Sequence, residues 1–377
     1  MATLNYLNTT HIDFGTRAML ADTLKQLGVK RPMIVTDKGI IAAGILDSVR
    51  EALGNEFSPE IFDETPENPT EEATLLALKQ YRDAGCDGIV SLGGGSSMDL
   101  AKALALLATH DEPLTRYAAV EGGGGLIGEV APHIAMPTTA GTGSEVSVGS
   151  VIITNDGRKL IFASQKLLPK VSICDPELTL GLPARLTAAT GMDAVTHCIE
   201  AIISPIENPP AEAVGLDGLR RAVKLGYLAR AVADGSDREA RYNMMMAASE
   251  GAMAFVKGLG AVHSMSHACG RVKELKLHHG TLNAVILPTI LRFNADHVGD
   301  KYDRIRDAMG LKPGADLADA IEELNATLGM PANLGAMGVT RETPGLVENA
   351  MTDVCTFTNP RPLTPADYEA LFEQAIG

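Results

Sequence analysis

The chain has 377 residues, 45% hydrophobic and 21% charged, a globular composition large enough for two domains or one big α/β unit. No apolar run reaches the ~18–20 residues of a membrane-spanning helix, so no membrane partner is expected. A net charge of −15 opposes attraction to phosphate backbones and anionic lipid, which excludes nucleic acid as an expected partner.

The first stretch, MATLNYLNTTHIDFG, lacks a basic region followed by an apolar core, so the expected address is the cytoplasm. From residue 16 to about 180, helical patterns alternate with short β-rich runs: TRAMLADTLKQLGV, RPMIVTD, LDSVREALG, PEIFDE, TEEATLLALKQYRDAG and DGIVSLGGG. That alternation predicts a parallel sheet with crossover helices. GSVIITND and RKLIFAS, joined through Asn155-Asp156-Gly157, read as a hairpin added to that sheet. HIAMP and KVSICDP are the last β runs, and from Ala184 onward the chain reads as successive helices broken at Pro and Gly. We place a boundary near Gly181: an α/β, Rossmann-like dinucleotide-binding domain over 1–181 and an all-α domain over 182–377. VEGGGGLIG reads as a turn rather than a phosphate cradle, because no helical pattern follows it. Cys86, Cys174, Cys198, Cys269 and Cys355 never form C-x-x-C, which argues against a disulfide framework or a thiolate zinc site.

Two loops in the first half suit a nucleotide. In CDGIVSLGGGSSMDLAKALALLATH, a β run leads through Gly93, Gly94 and Gly95 into a helix whose free N–H groups and positive end attract a pyrophosphate. The spacing departs from G-x-G-x-x-G at Met98, and the best acidic ribose-binding candidate, Asp37, comes earlier in the chain rather than about 20 residues later. Asp37 also reads as a helix cap. The second loop, MPTTAGTGSEVS, follows a strand and carries Thr138, Thr139, Thr142 and Ser144. Hydroxyls at the C-terminal edge of a parallel sheet lie where such folds bind ligands.

In the second half, Asp193 and His197 in GMDAVTHCIEA are four apart, on one face of a helix, with Glu200 nearby. His263 and His267 repeat the spacing, and His279 follows after a loop. A carboxylate with imidazoles suits Fe²⁺ or Zn²⁺ at a catalytic site. Met244, Met245, Met246 and Met265 read as core packing.

Taken together, GGGSSMDLAKA, PTTAGTGSE, GMDAVTHCIEA, GLGAVHSMSHACG and HHGTLNAVILP closely resemble the iron-containing alcohol dehydrogenases, over nearly the whole chain. The resemblance implies an NAD(P)-binding α/β domain, an all-helical domain and an active site in the cleft between them. It implies metal ligation by Asp193, His197, His263 and His279, with His267 beside the substrate as a proton relay. Cofactor contacts fall on Asp37, Gly94, Gly95, Ser96, Asp99, Thr138, Thr139, Thr142 and Lys159, and Asp37 implies NAD rather than NADP because a carboxylate repels a 2′-phosphate. The chain departs from the family between Gly270 and His279: RVKELKLH is two residues longer than usual, and His278 stands where proline is common. His279 is preferred over His278 because the glycine after it and TLNAVILP keep the family context.

The activity so implied is metal-dependent, NAD-linked hydride transfer between nicotinamide and a small primary alcohol, with Fe²⁺ or Zn²⁺ as cofactor and a homodimer as the expected assembly. Within the family, VTDKGIIAAG and LKLHHGTLNAV look like 4-hydroxybutyrate dehydrogenases, with Arg271, Lys273 or Lys276 candidates to hold the substrate carboxylate. Rival readings are a short-chain alcohol or 1,2-diol dehydrogenase, a dehydroquinate-synthase-like lyase, which would produce no net NADH, and a metal-dependent NAD sensor without turnover.

Overall fold

A computed structural model describes residues 8–377, which form two compact units. One comprises 8–139 and Ser144–Gly181; the other comprises Ala140–Gly143 and Leu182–Gly377.

The first unit contains β1 (Thr9–Ile12), β2 (Pro32–Val35), β3 (Glu60–Phe62), β4 (Gly88–Gly93), β5 (His133–Pro137), β6 (Gly149–Ile153), β7 (Lys159–Ala163) and β8 (Val171–Cys174). Six of them form one sheet in the order β1-β8-β5-β4-β2-β3, and every pairing is parallel. The central strands β2 and β4 are buried along their whole length, as expected of strands covered on both faces. Their side chains alternate between two cores. Met33, Val35 and Ile89 pack with α4 (Glu71–Asp83) and α5 (Gly95–Leu107); Ile34, Val90 and Leu92 pack with α1 (Leu20–Gln26) and α3 (Ile45–Leu53), which follows the short α2 (Lys38–Ala42).

Two features differ from the sequence expectation. The strand β1 was not signalled, because TTHI is short, half-exposed and without alternation; it is a strand by virtue of pairing with β8, Thr9 opposite Val171. The hairpin forms at the expected turn, but β6 and β7 make a separate two-stranded antiparallel sheet. The physical reason lies in α5: the Asp99 carboxylate accepts from Val151 N at 3.0 Å and its backbone carbonyl accepts from Ser150 Oγ at 2.8 Å, so β6 is fastened to a helix rather than to the sheet edge. The middle of the glycine run packs closely, within a 3-10 turn over Gly123–Leu126. A Cβ on Gly123 would stand 2.3 Å from Arg116 O, and one on Gly124 2.6 Å from Ala163 O.

The second unit is helical: α6 (Ala184–Ile203), α7 (Pro209–Leu219), α8 (Tyr227–Ala233), α9 (Arg238–Ala254), α10 (Ala261–Gly270), α11 (His279–Asn294), α12 (Lys301–Met309), α13 (Leu317–Thr327), α14 (Leu346–Met351) and α15 (Pro365–Ile376). From Thr187 to its end α6 is buried all round, the mark of a helix at the centre of a helical domain. Glycines set how closely its neighbours approach: a Cβ on Gly280 of α11 would meet Ala189 O of α6 at 2.2 Å, and one on Gly251 of α9 would meet Ala194 O at 3.1 Å. Met244, Met245 and Met265 are buried in this core, while Met246 is half-buried. Among the described residues, no helix is long and apolar enough to cross a membrane.

Candidate functional site

The close approach of α11 to α6 gathers one carboxylate and three imidazoles. Asp193 and His197 project from one face of α6, His263 lies in the first turn of α10, and His279 is the first residue of α11. Asp193 Oδ1 stands 3.6 Å from His197 Nε2, 3.9 Å from His263 Nε2 and 3.7 Å from His279 Nε2. Ligand atoms bound tetrahedrally at about 2.0–2.2 Å lie roughly 3.3–3.6 Å apart, so a slight contraction would seat a first-row divalent cation. The residues present therefore fit such an ion. Asp193, His197 and His263 are buried, whereas the His279 side chain is 31% exposed, so the cluster meets solvent on that side. His278 occupies the position before α11, with Nδ1 3.4 Å from Thr281 Oγ1.

The opposite edges of these groups are held as well. His263 Nδ1 lies 2.5 Å from Glu200 Oε2, and His279 Nδ1 lies 2.9 Å from Ser266 Oγ, so two rings have Nδ1 occupied and Nε2 turned toward the carboxylate. Asn283 Nδ2 donates to Asp193 Oδ1 at 2.7 Å and lies 3.2 Å from both His263 Nε2 and His279 Nε2. Such outer partners fix ring orientation and tautomer at metal sites. Burial draws the His197 imidazolium down to about 4, favouring the neutral, ligating form. Burial also opposes protonation of His263, but the carboxylates of Glu200, Asp193 and Asp353, Glu200 foremost, together raise that pKa.

His267 lies one turn beyond His263, and its ring stacks on that of His279 with centroids 5.3 Å apart. Its Nδ1 is 2.9 Å from Asp353 Oδ2. Burial disfavours the Asp353 carboxylate, yet His267 and the Cys355 backbone N–H hold its pKa down to about 2. A carboxylate on Nδ1 leaves Nε2 of His267 as the proton acceptor. Sequence reading missed Ser266, Asn283 and Asp353. The i,i+4 spacing of His279 and Asn283 was a signal within reach; Asp353, 86 residues from His267, gave none.

In the first unit, the turn from β4 into α5 is built for close approach. A Cβ on Gly93 would strike Ser97 Oγ at 2.3 Å and lie 3.7 Å from Asp37 Oδ2, so Asp37 stands beside this loop while also capping α2 through Ile40 N. Gly94 precedes α5 and abuts Thr139; Gly95 opens the helix; Ser96 Oγ donates to Glu67 O at 2.5 Å. Thr138 N donates to Gly93 O. The hydroxyls of Thr36, Thr65, Ser97 and Thr139, all near the C-terminal ends of β2 to β5, are buried without a hydrogen-bond partner among the described residues. Buried hydroxyls ordinarily have a hydrogen-bond partner, so these four leave room for water or a ligand to supply one. Asp99 is occupied differently: it accepts from Ser144 Oγ and Val151 N, shaping the second loop from within. Lys102, another residue the sequence did not single out, is buried and donates to Ser144 Oγ, Ser147 O and Gly149 O, and burial lowers its pKa to about 8. Lys159 lies on β7 with Nζ 3.5 Å from Asn68 Oδ1. Thr142 belongs to the helical unit, where Gly141 and Gly143 press against Thr190 O and Ala248 O.

Comparison with known proteins identifies the family. The profile described as iron-containing alcohol dehydrogenase matches residues 8–176, and that of the C-terminal part of the same family matches residues 187–376. A 4-hydroxybutyrate dehydrogenase from Cupriavidus necator is 52% identical over all of both chains. The crystal structure of a 1,3-propanediol oxidoreductase superposes with a TM-score of 0.91 at 35% identity, covering 99% of this chain and 100% of its own. A sulfoacetaldehyde reductase from Bifidobacterium kashiwanohense, solved in complex with NAD⁺, superposes with a TM-score of 0.89 at 27% identity, covering 100% of this chain and 99% of its own. With the α/β and helical units both matched by the two halves of one family, this chain belongs to the iron-containing alcohol dehydrogenases.

Proposed function

We propose that this enzyme is an NAD-linked, iron- or zinc-dependent dehydrogenase that interconverts 4-hydroxybutyrate and its semialdehyde. The observation that carries the reading is the convergence of Asp193, His197, His263 and His279 around one point, with the His267–Asp353 pair alongside. When bound, the cation supplies a Lewis acid for the alcohol oxygen and the nicotinamide a hydride acceptor. The four ligating side chains hold the cation, and Glu200 and Ser266 orient two of their rings. Asp353 keeps the Nδ1 proton of His267, so the proton released from the alcohol goes to His267 Nε2. Residues 1–181 are assigned the NAD-binding role, of which 140–143, Thr142 among them, fold with the helical unit; Asp37 accepts from the ribose, and Gly94, Gly95, Ser96, Thr138, Thr139, Thr142 and Lys159 are the other cofactor contacts, while Asp99 shapes the loop. Residues 182–377 serve as the metal domain. The orphan hydroxyls beside the glycine loop and the structural neighbour bound to NAD⁺ support this assignment.

The substrate assignment is supported by the 52% identity to a 4-hydroxybutyrate dehydrogenase. Arg271, whose Nη1 donates to Asn349 Oδ1 at 2.5 Å, and Lys276, exposed at φ 46°, are the carboxylate-binding candidates; the Lys273 side chain lies outside the described residues. The proposed setting is a cytoplasmic homodimer. All five cysteines are free, which fits a reducing compartment, and sedimentation of the purified protein reads the assembly. Steady-state NADH production from 4-hydroxybutyrate, 1,2-propanediol and short primary alcohols decides the substrate. We expect the highest kcat/KM with 4-hydroxybutyrate; preference for a neutral alcohol removes the carboxylate reading, and NAD binding without NADH from any alcohol removes the dehydrogenase reading.

A further inference from the structure

We infer that Glu200 is a positioning residue of the metal centre: it retains the Nδ1 proton of His263 and so directs the Nε2 lone pair of that ring at the point shared with Asp193, His197 and His279. The inference rests on the metal site proposed above. Glu200 lies on α6, on the same face as Asp193 and His197, and both it and His263 are buried. Its two oxygens have two separate tasks. Oε1 accepts from Val262 N at 2.8 Å, and Oε2 faces His263 Nδ1 at 2.5 Å.

The first task ties the carboxylate to the start of α10. Gly260, the residue before that helix, has no side chain to satisfy the leading N–H groups; Asn359 Oδ1 takes Ala261 N at 3.2 Å and Glu200 takes Val262 N. A Cβ on Gly260 would come within 2.9 Å of Glu200 Oε1, so the carboxylate sits against the backbone with little room to turn. Once Oε1 is committed to Val262, Oε2 is committed to His263. A carboxylate can only accept, so the Nδ1 it faces carries the proton and Nε2 of the neutral ring is left bare.

This arrangement makes one isosteric substitution informative. Glutamine at this position has one acceptor and one donor. With its oxygen toward Val262 N, its NH₂ faces His263 Nδ1 and forces the ring proton onto Nε2, where it blocks ligation. With the amide turned over, the NH₂ faces the Val262 N–H, two donors in contact and a buried N–H unsatisfied. Neither orientation serves both partners, whereas the carboxylate serves both.

Glu200→Gln in the full-length protein, loaded with Zn²⁺ and challenged with a chromogenic chelator, is expected to hold zinc about 10–100-fold more weakly than wild type. The unfolding midpoint of its metal-free form should stay close to that of wild type. Asp193→Asn in parallel separates the two levels of the claim. If Asp193→Asn holds zinc as wild type does, the metal site itself is misplaced. If Asp193→Asn releases zinc while Glu200→Gln retains wild-type affinity, the site stands and the role of Glu200 is overturned. A measurement on the metal-free wild-type protein covers the case in which Glu200→Gln does not fold: ¹⁵N-histidine spectra at pH 9 should show His263 protonated at Nδ1 and bare at Nε2. A proton on Nε2 there overturns the inference regardless of the variant.

Discussion

Asp353 converts His267 from a ring that could carry its proton on either nitrogen into one with a defined acceptor. Asp353→Asn keeps the shape but offers either an NH₂, which moves the ring proton to Nε2, or a weaker neutral acceptor. We expect kcat to fall about 10²–10⁴-fold, the usual contribution of a positioned acid–base group, with metal content unchanged. His267→Ala should behave likewise, keeping metal and losing rate, whereas His263→Ala should lose metal and activity together. Metal analysis beside single-turnover NADH formation checks all three; full activity in His267→Ala, or retained metal in His263→Ala, contradicts the assigned roles. At this scale the sequence was informative wherever helical spacing applied. Asp193 with His197 and His263 with His267 are both i,i+4 pairs, and His279 with Asn283 is a third. Asp353 and Glu200 act on rings from other helices or loops, 86 and 63 residues away in the chain, a relation that no local period encodes.

Among the elements, the spacing of α6 and α11 decides whether His279 reaches Asp193, and Gly280 sets it. In an exposed helix, alanine in place of glycine stabilises by about 0.5–1 kcal/mol. Here the added methyl would lie 2.2 Å from Ala189 O and 3.3 Å from Asp193 Cβ, and overpacking of that kind costs about 1–3 kcal/mol. The steric term wins, so Gly280→Ala should lower the heat-unfolding midpoint and the metal content together. Unchanged metal content would show that α11 has slack. Element boundaries on the central strands were legible because burial on both faces leaves continuous apolar runs; β1 and the docking of the hairpin were not, since both depend on partners distant in sequence.

For the whole molecule, His133 ties stability to pH. It lies on β5, buried, with Nε2 2.8 Å from Ser91 Oγ, and burial, aided by the nearby Lys102 charge, lowers its pKa to about 3. In the unfolded chain the value is about 6.5. Between these limits the unfolded state binds a proton that the folded state refuses, so stability falls as pH drops below about 6.5, by up to about 1.4 kcal/mol per pH unit from this one group. His133→Gln should therefore show a shallower loss of heat-unfolding midpoint between pH 7 and pH 5 than wild type. Parallel curves for the two proteins would mean that His133 takes up its proton in the folded state.

From the sequence by itself follow the class of each half, the turn of the hairpin, the glycine loop ahead of α5 and the pairs of residues that share a helix face. All of these are consequences of periods of 2.0 and 3.6 residues and of glycine at sharp turns, which act over a few positions. Only tertiary structure decided that His279 approaches Asp193, that Glu200 and Asp353 grip histidines from outside their own helices, that Asp99 of α5 holds Ser144 and the hairpin, and that the hairpin stands apart from the sheet. Those outcomes depend on how closely backbones pack and which buried polar atoms must find partners, constraints that act between segments remote in the chain and leave no local trace.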